Sequence, residues 1–304
     1  MKQLSGTLIW ESGLKDKAQA IDLHTLQNVS ASWRHDIKDA ALWRSILLPI
    51  GGRENKFRVF SEDCPASLII ISGPCASSMD LAWHFIQNEQ MPAWGSVLAL
   101  RQWAGRGQLG RQWVSPVDNI YAACRLPRIS SCWIDLLPLI VGFALQRSFS
   151  QLGIDMQLKW PNDLIIKNTK VGGVLMENKG NAIVAGIGLN LSSSPDQNRL
   201  RKEKAIGAAS LSDFGYHFTP LSLWRNLIRE VRNHFDNITR TDDPSQFIKE
   251  VQPCLAFAGR QVTVFDHDGS YHATLVGLSE NGGLELITGT QTKTIQSGSI
   301  LPLD

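Results

Sequence analysis

Arg101–Pro116 reads RQWAGRGQLGRQWVSP. Three glycines, Gly105, Gly107 and Gly110, stand among two cations, Arg106 and Arg111. Glycine lets backbone N–H groups approach an anion closely, and successive N–H groups form an anion-binding concavity. Arginine adds charge-assisted hydrogen bonds to phosphate or carboxylate. Such a loop can close over a nucleotide and keep water from a reactive intermediate. It is not a Walker A loop, because no Gly-Lys-Ser/Thr follows. The GxGxxG spacing is met, but without a clear helix behind it. Taken alone, the stretch reads equally well as an exposed basic loop.

On its N-terminal side, Ser67–Ser72 (SLIIIS) is a buried strand ended by Gly73-Pro74. Ser77–Gln87 follows as a helix capped by Ser77 or Ser78. Gly95–Gln102 is a strand leading into the loop. On its C-terminal side come a strand at Asn119–Leu126 and an amphipathic helix at Ile134–Leu152. Four short strands are then expected at Met156–Trp160, Leu164–Lys167, Val171–Glu177 and Ala182–Leu191. Helices are expected at Pro220–Phe235 and Pro244–Pro253. From Gly259 the strands shorten: Gln261–Phe265, Ser270–Leu278, Gly283–Ile287 and Lys293–Gln296. Turn signals at Asp268-Gly269 and Asn281-Gly282-Gly283 separate them, as in a small β-barrel. Residues 1–64 are harder to read. They offer two helical stretches, Leu14–Gln27 and His35–Ile46, after which Gly51-Gly52 breaks the chain.

Two more segments carry chemistry. Lys159–Asn178 reads KWPNDLIIKNTKVGGVLMEN. Asp163 can orient an amine, and Lys170 can stabilise developing negative charge. Its plainer reading is a hairpin turning at Asn168-Thr169 with solvated charges. Ala185–Asn190 (AGIGLN) puts two glycines at the end of an apolar strand, where a ligand can approach the backbone. Asn190 can hydrogen-bond a base edge. Its plainer reading is a glycine bulge.

Composition limits the classes. The 304 residues suggest about two domains at roughly 150 residues each. A formal net charge of +2 argues against a strongly basic nucleic-acid-coating protein. Five cysteines, an odd number with no CxxC pair, point to reduced thiols and a cytoplasmic setting rather than a disulfide framework or structural zinc. Met1–Trp10 lacks the apolar run of a secretory signal. Leu136–Leu145 is too short to span a bilayer, so no membrane association is expected.

In this order and at these intervals, the three motifs resemble the biotin–protein ligase (holocarboxylase synthetase) family. Its pattern is GRGRxGRxWxSP, then KWPND with K(L/V)GG(I/V)L, then GIG(I/L)N, then an SH3-like barrel. The resemblance covers about residues 66–302. It implies an α+β fold: a class II synthetase-like catalytic domain with a mixed or antiparallel sheet at 65–256, and the SH3-like barrel at 257–304. The segment 1–64 keeps an unclear role. A winged helix is not expected there, because no glycine-bearing wing hairpin follows Asn28–Ala40, and DNA binding is not expected with it.

The resemblance further implies an ATP-dependent, AMP-forming ligase. Biotin and MgATP give biotinoyl-5′-AMP, and a lysine of a biotin carboxyl carrier protein then takes the biotin. Mg2+ arrives with ATP and has no dedicated protein site. Biotin contacts fall to Ser77, Ser78, Gln102, Gly105, Arg106, Lys170 and Gly188. Adenylate contacts fall to Arg106, Gln108, Arg111, Trp113, Lys170 and Asn190, with Trp113 and Asn190 beside the adenine. Lys170, Arg106 and Asp163 are the expected catalytic set, Asp163 steering the incoming lysine. Relatives dimerise through the catalytic sheet, which makes a homodimer an open expectation. Two departures stand out: Gln108 replaces a family arginine, and Ser77-Ser78-Met79 replaces Ser-Thr-Asn. A lipoate or octanoate ligase or transferase of the same fold, and a biotin-sensing transcription regulator, stay open as alternatives.

Overall fold

The structure is a computed structural model that describes residues 4–60, 67–195 and 206–303. Cys64 and the boundary expected at 64/65 lie outside the described residues. The chain divides into two compact units. The first comprises Met1–Arg128, Val174–Ser193 and Ser210–Arg229; the second comprises Ile129–Gly173, Ser194–Ala209 and Glu230–Asp304.

In chain order the first unit opens with β1 (Thr7–Trp10), α1 (Leu23–Gln27), α2 (Ala31–Asp36), β2 (Trp43–Ile50) and β3 (Arg53–Phe60). It continues with β4 (Ile69–Ser72), α3 (Ser78–Gln87), β5 (Ser96–Ala99) and β6 (Ile120–Leu126). The chain then forms α4 (Leu137–Gln151), β7 (Gln157–Lys159) and β8 (Asp163–Ile166) in the second unit. β9 (Thr169–Lys179) begins there and ends in the first unit, which also holds β10 (Ala182–Leu189). After α5 (Pro220–Ile238) and α6 (Ser245–Val251), the second unit closes with β11 (Gln261–Asp266), β12 (Gly269–Leu278), β13 (Leu284–Thr288), β14 (Gln291–Ile295) and β15 (Ser299–Pro302).

The sheet of the first unit runs β2-β3-β1-β4-β5-β6-β10. β4 pairs in parallel with β1 and β5, and the other pairs are antiparallel, so the sheet is mixed as expected. One face is covered by α3, whose Met79, Leu81, Ala82, Trp83 and Phe85 pack with Trp10, Phe57, Ile70, Val97 and Tyr121. Burying apolar area contributes about 25 cal/mol per Å², so this packing stabilises the unit.

The helix expected over His35–Ile46 is corrected. α2 stops at Asp36, and all eight residues of β2 pair with β3. Tertiary pairing overrides local propensity here: Trp43 lies opposite Phe60, with ring centroids 5.1 Å apart. Asp36 ends α2 and turns to the start of α5. It accepts hydrogen bonds from Thr219 Oγ1 (2.6 Å), Leu221 N (2.8 Å) and Ser222 Oγ (2.8 Å). The helix expected over Leu14–Gln27 shrinks to α1, which Asp22 caps by accepting from Thr25 N at 2.7 Å. Three strands from the segment that the sequence leaves without a role, β1, β2 and β3, thus hydrogen-bond into the same sheet as β4.

In the second unit, β7, β8 and the first residues of β9 form an antiparallel ladder. The C-terminal strands form a separate five-stranded antiparallel sheet in the order β14-β13-β12-β11-β15. Its last strand, β15, is the one the sequence reading missed. Trp160 Nε1 donates to Gly282 O at 2.9 Å, tying the tryptophan before Asn162-Asp163 to the turn that precedes β13. Among the described residues, no helix is long and apolar enough to cross a membrane. Cys75, Cys124, Cys132 and Cys254 are all free thiols.

Candidate active site

In the first unit, α3 begins beside the glycine-rich loop. Ser77 is its N-cap and accepts from Met79 N at 3.3 Å. Ser78 donates twice to Gln102 Oε1, from its backbone N (2.8 Å) and its hydroxyl (3.1 Å). The amide end of Gln102 donates to Ser115 Oγ at 3.1 Å, and Ser115 Oγ donates to Trp113 O at 3.1 Å. This chain of bonds fixes which end of the Gln102 amide faces the helix. Gly105 has no room for a side chain, since a Cβ would sit 2.6 Å from Trp113 O and 2.9 Å from Gln102 Nε2.

Trp113 packs its indole against the glycine strand. A Cβ at Gly188 would come within 2.6 Å of the indole ring, and one at Gly186 within 2.6 Å of Met79 Sδ. The two glycines therefore admit one aromatic ring and one thioether. Gly188, Trp113, Gly105, Gln102 and Ser78 stand together, as the motif order implies. Asn190, 2% exposed, directly follows the strand, and its carbonyl accepts from Leu211 N at 2.8 Å.

Sequence reasoning missed Asn119. Its Oδ1 accepts from Leu191 N (2.8 Å) and Ser192 N (2.9 Å), and its Nδ2 donates to Ser193 O (2.9 Å). It thereby fixes the backbone that follows Asn190. The available signal was Asp118-Asn119 directly before an apolar strand, a pair favoured in tight turns, and Asp118 does adopt a φ of +66°.

Arg106 points at acids. Its Nη1 and Nη2 bond Asp80 (3.1 and 2.9 Å), and Nη2 also bonds Glu177 Oε1 (2.9 Å). Asp80, then Glu177, push the guanidinium pKa up. Gln108 opens a short 3-10 turn, Gln108–Gly110, and Arg111 follows it, exposed.

In the second unit, Asp163 opens β8 between two ammonium groups, pairing with Lys170 Nζ and with Lys159 Nζ at 3.2 Å. Burial raises its pKa, but the two lysines outweigh that and hold it below the ordinary carboxylate range. Lys170 is fixed through its backbone: its N donates to Gly207 O (2.8 Å), and its O accepts from Ala209 N (2.9 Å). The hairpin turns at Lys167-Asn168, one residue earlier than expected, with both residues at positive φ.

The depressed pKa has a thermodynamic consequence. A carboxylate whose folded pKa lies below its unfolded one stabilises the fold above the unfolded value. That contribution is lost as pH falls through the folded value. Asp163→Asn should therefore cost roughly 1.5–3 kcal/mol at neutral pH, the range for hydrogen bonds to charged groups. Thermal melts from pH 7 downward should show the gap between wild type and variant closing below the ordinary aspartate range. A gap independent of pH would refute the assignment.

A mixed sheet bearing a serine-capped helix, a glycine-arginine loop and a glycine strand, with a small antiparallel sheet at the C-terminal end, defines the class: a biotin/lipoate ligase-type catalytic domain. Residues 72–193 match the Biotin/lipoate A/B protein ligase family, and residues 257–301 match the Biotin protein ligase C terminal domain. The chain is 31% identical over 234 residues to the bifunctional ligase/repressor BirA of Bacillus spizizenii, covering 74% of this chain and 71% of that protein. It is 36% identical over 116 residues to the biotin–[acetyl-CoA-carboxylase] ligase of Paracoccus denitrificans, covering 34% of this chain and 46% of that protein. The chain thus matches less than half the length of the Paracoccus enzyme. The solved biotin protein ligase from Aquifex aeolicus in complex with biotin and ATP superposes with a TM-score of 0.64 at 25% identity, covering 77% of this chain and 97% of that one. This chain belongs to the biotin protein ligase family.

Proposed function

We propose that this chain activates biotin with MgATP and transfers it to a lysine of a biotin carboxyl carrier protein. A biotin carboxylate oxygen attacks the α-phosphorus of ATP and pyrophosphate leaves. The carrier amine, once deprotonated, attacks the acyl carbon of biotinoyl-5′-AMP and AMP leaves. The observation that carries this reading is the Ser78–Gln102–Ser115 chain beside Trp113 on Gly188. It supplies oriented donors and acceptors next to a planar aromatic surface. That pairing suits a cyclic urea on one side and a purine on the other.

Ser77, Ser78, Gln102, Gly105 and Gly188 hold biotin in this scheme. Trp113 and Asn190 hold the adenine. The backbone of the Gly105–Arg111 loop, with Gln108 and Arg111, encloses the acyl phosphate. Lys170 neutralises charge on the reacting oxygens, and Asp163 orients first Lys170 and then the incoming lysine. Mg2+ enters with the triphosphate as part of the substrate. The test is labelling of a purified carrier domain: it should require both biotin and ATP. Labelling with lipoate or octanoate instead would overturn the substrate.

Gln108 makes a separate prediction. An uncharged amide holds a phosphate less firmly than a guanidinium. Gln108→Arg should slow escape of biotinoyl-5′-AMP about tenfold, the effect of one charge-assisted bond of about 1.4 kcal/mol. Release into a scavenging nucleophile, followed by mass spectrometry, reads this directly. An unchanged release rate would refute it.

A further inference from the structure

We propose that Arg106 acts as a positioning residue: Asp80 and Glu177 clamp it, so that it holds the glycine-rich loop in place instead of receiving the reacting anion. This rests on the ligase reading above and assigns Asp80 and Glu177 a part in it.

Three elements meet at the guanidinium. Arg106 comes from the loop, Asp80 from the first turn of α3, and Glu177 from β9. The Asp80 contact is two-pronged, the geometry that adds orientation to charge. Glu177 is itself held: its Oε2 accepts from Trp83 Nε1 at 2.7 Å and faces Lys179 Nζ at 3.9 Å. Lys179 in turn lies 4.7 Å from the Trp83 ring centroid. The clamp is thus braced on both the helix and the strand.

Electrostatics decides the role. Two carboxylates surround one guanidinium, with Lys179 at the edge. A substrate carboxylate or phosphate brought to this face would meet Asp80 and Glu177 at close range and be repelled. Among the described residues, Arg111 makes no hydrogen bond or ion pair through its guanidinium, so it is the loop cation left for an anion. The backbone agrees with a holding role. Arg106 pairs with Gln112, and Gly107 N donates to Arg111 O at 2.7 Å, so the loop is a small hairpin with the clamp near its base.

Four full-length proteins test this: wild type, Arg106→Ala, the double variant Asp80→Asn/Glu177→Gln, and the triple combination. The readouts are hydrogen–deuterium exchange of residues 105–113 without substrate, the KM for biotin, and the single-turnover rate of adenylate formation at saturating substrate. Melting curves confirm that each protein is folded. Arg106→Ala and the double variant should both raise exchange in the loop and raise KM about tenfold, as for a contact pair coupled by about 1.4 kcal/mol. The single-turnover rate should stay within a factor of about three, and the triple variant should be no worse than the double. If Arg106 instead receives the anion, removing it from the double variant will cost a further large factor in the single-turnover rate; that result overturns the proposal. Unchanged loop exchange in the double variant overturns it as well. A wild-type protein that forms no adenylate would sink the ligase reading alone, because the exchange arm needs no substrate.

Discussion

Lys170→Ala should slow formation of the acyl-adenylate by about 10²–10³, the usual loss when one oriented charge donor is removed from a reacting oxyanion. The fold should survive. Lys170 is 29% exposed at its side chain, and its backbone bonds to Gly207 and Ala209 do not involve the ammonium group. Asp163 keeps Lys159 as a partner in the variant, so the deletion does not strand a bare carboxylate. The loss should appear in the single-turnover rate and hardly in the affinity for biotin, because the ammonium matters most where charge develops. Rapid-quench measurement with a melting curve on the same protein checks both halves. A stably folded variant that forms adenylate at the wild-type rate removes Lys170 from the chemistry.

The second large effect is expected at Gly188. One added methyl group would fall 2.6 Å from Cε2 and Cζ2 of Trp113 and 3.0 Å from its Nε1. The ring must move, because Gly188 is paired with Tyr121 within the β6–β10 ladder and cannot retreat. Overpacking of this kind costs about 1–3 kcal/mol of stability. Displacing a ring that stacks on a base costs a further 1–3 kcal/mol of binding, roughly tenfold or more in ATP affinity. Gly188→Ala should therefore weaken ATP binding by that factor, beside any loss in the biotin contact proposed for Gly188. Trp113→Ala should produce the same loss, and the double variant little more than either alone. Additive losses would mean that ring and glycine do not act as one surface.

These expectations also show what the sequence could carry. The strands at Ile69–Ser72, Ile120–Leu126 and Ala182–Leu189 are largely apolar runs bounded by turn residues, and a local pattern suffices to find them. Trp43–Ile50 has no such pattern. WRSILLPI carries a proline and four exposed positions, and it is a strand because Arg53–Phe60 lies beside it. Gln102, Gly105, Trp113 and Gly188 sit in motifs whose spacing marks them. Asp80, Glu177 and Asn119 do not: each matters through a partner 26 to 72 residues away, and one sequence carries no record of that pairing. The missed residues are accordingly those that hold others in place.

The decisive measurement omits the carrier. The purified chain is mixed with biotin and MgATP, quenched within seconds, and assayed for biotinoyl-5′-AMP by mass spectrometry. About one equivalent of adenylate per chain, dependent on both substrates, is the expected result. No adenylate, or an adenylate formed with lipoate or octanoate but not with biotin, would contradict it.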